Sequence, residues 1–158
     1  MYIRFDRTGL PDLYDDVVAR QAVDAGSYIF ESTAEPEVVI FSTGVMVGEA
    51  MEVGNQLLEL GINAWVADIV RLKPFDEDLI VHASELSFVT LEEHYLPGGL
   101  GSIVAEILVD NNCKNSLLRI GVPEEFCFTY GGRQAIWEKY GLDIPTVTKR
   151  IADWYKGL

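Results

Sequence analysis

Basic residues are scarce in this chain. Twelve Lys and Arg face 25 Asp and Glu, a net charge of −13 over 158 residues. Such a surface repels phosphate backbones and anionic lipids, which argues against nucleic-acid or membrane partners. Cysteine is nearly absent, and Cys113 and Cys127 form no CxxC pair. A disulfide framework is therefore not expected, and two free thiols in a reducing, cytoplasmic setting are. No apolar run approaches the roughly 18–20 residues needed to cross a bilayer. The first sixteen residues mix charge with apolar side chains and lack the apolar stretch of a leader. Internal repeats and low-complexity tracts are missing as well.

What is present suits one domain of ordinary size. Apolar residues make up 49% of the chain. A globule of this length hides roughly 70% of its unfolded surface and needs no metal or disulfide staple. Mean hydropathy is +0.14, slightly apolar for so charged a chain. Some apolar surface should therefore meet a partner.

Residues 1–26 are dense in charge and breakers: a strand-like Tyr2-Ile3-Arg4-Phe5, then Gly9, Pro11, Asp12, Asp15 and Asp16. They read as an arm or linker lying on something else, as if the chain were entered partway through. From Ser27 a regular rhythm begins. Tyr28-Ile29-Phe30 reads as a short strand, and Val38-Val39-Ile40-Phe41 is a continuous apolar run of the kind buried on both faces. Val47, Ala50, Met51, Gly54, Leu57 and Leu58 recur at helical spacing, with Gly61 where a C-cap belongs. The alternation continues with a strand over Ala64–Val70, a short helix over Asp76–Ala83, a strand over Phe88–Leu91, a helix over Ile103–Asn111 and a strand over Leu117–Ile120. Two helices close the chain, Arg133–Tyr140 and one opened by Pro145. Such alternation predicts an α/β three-layer sandwich, a five-stranded mainly parallel sheet with helices on both faces. The Tyr28 strand, joined to the next by a short turn, is expected antiparallel at an edge.

In an open α/β sheet, ligands bind beyond the carboxyl ends of the strands. Those ends carry Thr43-Gly44, Asp68 with Arg71 and Lys73, Glu92-Glu93-His94, and Gly121. Glu92-Glu93-His94-Tyr95-Leu96-Pro97-Gly98-Gly99-Leu100-Gly101-Ser102 is the most unusual segment, because a Gly-rich turn opening a helix can cradle an anion. A dinucleotide fingerprint would need a third glycine where Val104 stands. A metal site built on Glu92, Glu93 and His94 lacks further ligands at a plausible spacing. Acid–base work by His94 has no accompanying nucleophile, since Cys127 sits between Phe126 and Phe128 among apolar residues. The bland reading weighs most. The glycines allow close strand–helix packing, while Glu93 and His94 bond locally or across an interface. Arg71 and Lys73 read likewise as salt-bridge or interface residues.

Together, the order and spacing of the strand with its Gly turn, Leu72-Lys73-Pro74-Phe75-Asp76, the Glu92–Ser102 segment, and Gly121-Val122-Pro123-Glu124-Glu125-Phe126 followed by Tyr140-Gly141-Leu142-Asp143 resemble the C-terminal domain of transketolases. The same domain closes deoxyxylulose-5-phosphate synthase and the β subunits of pyruvate-dehydrogenase-type enzymes. The resemblance runs from about Tyr2 to Trp154. It implies a parent enzyme that uses thiamine diphosphate and Mg²⁺ to move a two-carbon ketol unit between sugar phosphates. The metal motif and the activating Glu of that family belong to two preceding domains and have no counterpart here. On that basis no catalytic, cofactor or metal residue is expected in this chain.

By the same resemblance, residues 1–26 are the tail of the preceding pyrimidine-binding domain plus linker, and residues 27–158 the C-terminal domain proper. Asp6-Arg7-Thr8-Gly9-Leu10-Pro11 resembles the segment whose arginine binds the substrate phosphate, and Arg7 matches that arginine. Its Leu10-Pro11 ending favours a transketolase over the synthase. Upstream domains, or a separate subunit of the same enzyme, are the implied partners, with a homodimer as the assembly. Glu93, His94, Tyr95, Leu96 and Gly99 are the candidate interface residues. The alternatives are the C-terminal part of a deoxyxylulose-5-phosphate synthase, or a free-standing α/β domain binding an anion or partner at the sheet end.

Overall fold

The computed structural model describes residues 6, 9–32, 34–83 and 85–158. The expected strand over Tyr2–Phe5 and the candidate ligand Arg7 lie outside them.

Five strands form one sheet: β1 (Tyr28–Phe30), β2 (Val38–Ser42), β3 (Ala64–Asp68), β4 (Ser87–Tyr95) and β5 (Leu117–Val122). Their order is β1-β3-β2-β4-β5, with β1 antiparallel to β3 and the other pairings parallel. The edge position and direction of β1 are as expected. Its neighbour is β3, although the short connection runs to β2. The place beside β2 is filled by β3, which pairs with it in register from Val38↔Ala64 to Ser42↔Asp68.

Burial explains the uniform apolarity of β2, whose five residues are all buried at the centre of the sheet. Val38 and Ile40 face one core with Val66, Val89, Leu91 and Ile120. Helices α2 (Met46–Glu59) and α6 (Ile144–Tyr155) cover that side through Ala50, Val53, Leu57, Val147 and Ile151. Val39 and Phe41 point to the opposite core, closed by α3 (Asp78–Val81) and α4 (Leu100–Asp110) through Ile80, Val104 and Leu108. Each fully buried aliphatic side chain contributes about 1.5–3 kcal/mol.

Local chemistry sets the helix ends. At the C-terminus of α2, the Ile62 N–H bonds Leu57 O at 2.9 Å and the Gly61 N–H bonds Leu58 O at 2.9 Å. This double bond pattern needs the left-handed backbone that Gly61 supplies at φ +78°. Asp143 caps α6 by accepting from the Thr146 N–H at 3.1 Å.

Two expectations are corrected. The segment read as an arm contains a helix, α1 (Asp16–Ala25), with Asp15 accepting from the N–H groups of Val17 and Val18 and Gly26 left-handed at its end. β4 runs four residues beyond Leu91, to Tyr95, because β5 continues to pair with it. The register there goes from Leu91↔Ile120 to Tyr95↔Val122, four residues of β4 advancing against two of β5. No helix among the described residues is long and apolar enough to cross a membrane.

Candidate functional site

The chain leaves β2 toward β3 on one side and leaves β4 toward β5 on the other. A crevice therefore opens beyond the carboxyl ends of β2 and β4, where such folds bind ligands. An open cleft of about 650 Å³ lies there, with Thr43, Leu72, Lys73, His94, Val122 and Ile136 among its lining residues. Thr43 Oγ1, on its wall, donates to Ile69 O at 2.8 Å, and the neighbouring Ser42 Oγ donates to Leu91 O at 2.9 Å.

The Gly-rich turn does hold an anion, and the anion is the chain's own. Gly99 stands at the N-cap of α4 and has no side chain to cap it. Glu92, 1% exposed, reaches across from β4 instead. Its two carboxylate oxygens accept the N–H groups of Leu100 at 2.8 Å and Gly101 at 2.9 Å. A negative charge at a helix N-terminus meets both the free amides and the dipole.

The glycines make this approach possible. A Cβ on Gly99 would stand 2.2 Å from Glu92 Oε2 and 2.6 Å from Tyr95 O, and one on Gly101 would stand 2.7 Å from Thr90 Oγ1. Ser102 Oγ donates to Leu96 O at 2.9 Å while accepting from the Gly98 N–H at 2.9 Å and from Arg119 at 3.0 Å. The turn from 96 to 102 is thereby closed on itself.

The other candidate residues separate by environment. Glu93 is partly buried and engaged within the chain: Oε2 accepts from Arg133 Nε at 3.1 Å and from Trp137 Nε1 at 3.3 Å, on α5 (Gly132–Tyr140). Arg133 also pairs with Asp6 and stands over the Trp137 ring at 5.8 Å. Its pKa is raised, first by the Asp6 hydrogen bond. His94 and Tyr95 are exposed at the cleft, and the Tyr95 hydroxyl donates to Glu125 O at 3.3 Å. Leu96 is half-buried, facing Gly121. Arg71 holds the end of α1, donating to Ala25 O at 3.0 Å.

Cys127 departs from its expected apolar surroundings. It is exposed, and its thiol is pulled below the usual range by a backbone hydrogen bond at Thr129 and then by the Tyr140 hydroxyl. At the β1 side of the sheet, the buried Asp68 accepts from the Tyr14 hydroxyl. Burial pushes the Asp68 carboxyl up, and burial together with the Asp68 contact raises the Tyr14 phenol. The Tyr14 ring packs on Tyr28 and Phe30. Nothing local to Tyr14 announces this partner, which lies 54 residues away.

These residues do not fit a diphosphate cofactor with its metal. The amides at the start of α4 are taken by Glu92, and the described residues hold no group of three or more His, Cys, Asp or Glu suited to a metal ion.

Comparison with known proteins gives this arrangement a context. The family model for the transketolase C-terminal domain matches residues 28–147. A putative transketolase C-terminal section of Methanocaldococcus jannaschii is 32% identical over 157 residues, 99% of this chain and 48% of that protein. The 1-deoxy-D-xylulose-5-phosphate synthase of Chlorobium phaeovibrioides is 41% identical over 121 residues, 75% of this chain and 19% of the synthase. Among solved structures, a split-gene transketolase described as an inactive beta4 tetramer superposes with a TM-score of 0.77 at 31% identity, covering 93% of this chain and 47% of that one. The chain thus spans about half the length of the section it matches end to end, and about a fifth of the synthase.

Proposed function

The chain belongs to the transketolase C-terminal domain family, and we propose that it is the non-catalytic C-terminal part of a transketolase-type enzyme. In that reading the complete enzyme moves a two-carbon ketol unit between sugar phosphates with thiamine diphosphate and Mg²⁺, held by domains outside these 158 residues. The assembly works in the cytoplasm. The observation that carries the reading is the extent of the matches. Alignment to the M. jannaschii section, and to one subunit of the apulose-4-phosphate transketolase of Phocaeicola vulgatus, reaches 99% of the chain. Alignment to the synthases stops at about three quarters of it. The leading segment that holds Arg7, Leu10 and Pro11 falls within the length aligned to these separate transketolase pieces.

Within this reading the chain supplies a rigid end wall. Glu92 and the glycines hold the turn, Glu93 with Arg133 and Trp137 holds α5 against β4, and His94, Tyr95 and Leu96 present the surface that upstream domains or a sister subunit cover. Arg7 grips the substrate phosphate through its bidentate guanidinium. An inactive tetramer of a split-gene relative accords with a piece that assembles without catalysing.

Reconstitution tests the proposal. The chain is mixed with the polypeptide that carries the cofactor-binding domains, and ketol transfer is followed. Activity should require both pieces, with no Mg²⁺-dependent thiamine diphosphate binding by this chain alone in calorimetry. Micromolar cofactor binding by residues 1–158, or full activity without them, overturns it.

A further inference from the structure

Arg133 occupies a position that does not serve its own helix. It is the second residue of α5, where a cation meets the positive end of the helix dipole. The guanidinium is nonetheless held on three sides. Nε donates to Glu93 Oε2 at 3.1 Å near the end of β4, Nη2 donates to an Asp6 carboxylate oxygen, and the Trp137 ring centre lies 5.8 Å from Cζ. Trp137 Nε1 donates to the same Glu93 oxygen at 3.3 Å, so that carboxylate is fixed as well.

Isolated surface ion pairs contribute little, because two long side chains lose freedom to hold one geometry. This arrangement differs in two respects. The side chains of Asp6, Arg133 and Glu93 are only 25%, 30% and 24% exposed. Two carboxylates also share one planar fork, each on its own nitrogen, which the compact ammonium of a lysine does not reproduce. The contact joins residues 127 positions apart and ties the leading segment to α5. Further along, that segment is tied down again, by the Tyr14 hydroxyl on Asp68 and by the Tyr14 ring on Tyr28 and Phe30. Asp6 and Tyr14 are thus two fixed points that bracket Arg7 in the chain. Arg7 follows Asp6 directly, and one peptide link spans about 3.8 Å between Cα atoms, so an anchor at Asp6 sets where the next residue begins.

We propose that Arg133 is a positioning residue for the substrate phosphate: braced by Glu93 and Trp137, it holds Asp6 and thereby places the Arg7 guanidinium. The inference rests on the reading of Arg7 as the phosphate ligand and adds the device that sets it. Without the brace, Arg7 keeps its charge but must be ordered at each binding event, and that entropic cost weakens the grip on the phosphate. A contact remote from the reacting carbon is lost equally from ground state and transition state, so KM rises while kcat holds.

Steady-state ketol transfer by the reconstituted two-piece enzyme tests it, with D6N, R133K and R133Q each made in the parent and in an R7A background. In the parent, each should raise KM for phosphorylated substrates about three- to tenfold, with kcat within about twofold and unphosphorylated analogues unaffected. R133K should behave like R133Q, since a lysine does not serve both carboxylates. In the R7A background the same substitutions should change nothing, because the side chain they place is gone. A merely structural role would instead lower activity on both substrate classes and in both backgrounds. D6N, on the leading segment, carries the test if R133Q impairs the folding of α5. Parent-like KM in D6N, or equal losses with and without Arg7, overturns the proposal. If R7A itself leaves KM for phosphorylated substrates unchanged, the phosphate reading of Arg7 fails and the brace falls with it, a result distinct from the other two.

Discussion

Replacing Glu92 by glutamine isolates the contact that shapes the site. The side chain keeps its length but carries one carbonyl oxygen and one NH₂ group. Only one of the two α4 amides, Leu100 N–H or Gly101 N–H, then finds an acceptor, and the other faces a donor. A hydrogen bond to a charged group contributes about 1.5–3 kcal/mol, and a buried unsatisfied N–H costs about 1–3 kcal/mol. Loss of the carboxylate at the helix dipole adds up to about 1 kcal/mol. Against these stands relief from burying a charge, worth several kcal/mol before its partners are counted. The unsatisfied amide sets the scale, a net loss of about 1–3 kcal/mol. For a domain of this size that lowers Tm by roughly 2–4 °C per kcal/mol. Urea unfolding followed by tryptophan fluorescence and by circular dichroism gives the difference directly, with E106Q, at an exposed site on α4, as the surface comparison at about 0.5 kcal/mol or less. If E92Q lies within 0.5 kcal/mol of the parent at unchanged m-value, the two amide bonds do not organise the turn and the reasoning fails.

Gly99→Ala drives a Cβ into Glu92 Oε2 and the Tyr95 carbonyl, and a loss of about 1–3 kcal/mol in thermal unfolding is expected for such overpacking; an unchanged melt would mean the turn has slack. Burial raises the Asp68 carboxyl in the folded state, so the native protein binds that proton more tightly and stability falls as pH rises from about 4 through the raised value. Asp68→Asn keeps an acceptor for the Tyr14 hydroxyl and should remove that decline, read as the difference between the two proteins' stability–pH curves; parallel curves would contradict it. Arg7→Lys in the reconstituted enzyme should raise KM for phosphorylated substrates and leave unphosphorylated analogues unaffected, and equal effects on both would exclude a phosphate contact.

Much of the fold was legible because periodicity records burial. The run Val38–Phe41 has no polar position, and only a strand covered on both faces needs that. The stripe from Val47 to Leu58 closed by Gly61 carries both the face and the stop of α2. Helix α1 was hidden by its neighbourhood, since Gly9, Pro11 and three aspartates outweighed the local signal of Asp15 as a cap and Gly26 as a stop.

For the site, the sequence by itself determined where it lies: the strand ends at Thr43 and Glu92–His94, and the glycine turn. Only tertiary structure decided which groups meet. Glu92 and the α4 amides are close in the chain, yet the same residues could have left those amides open to a ligand. The pleat of β4 puts Glu92 on the face of Phe88 and Thr90, toward α4, and the bare backbones of Gly99 and Gly101 let its carboxylate close on the amides. The pairing of Tyr14 with Asp68 and of Glu93 with Arg133 has the same origin. Residues 54 and 40 positions apart carry no periodic trace of each other, and only the packing of α1 beside β1 and of α5 beside β4 brings them within bonding distance.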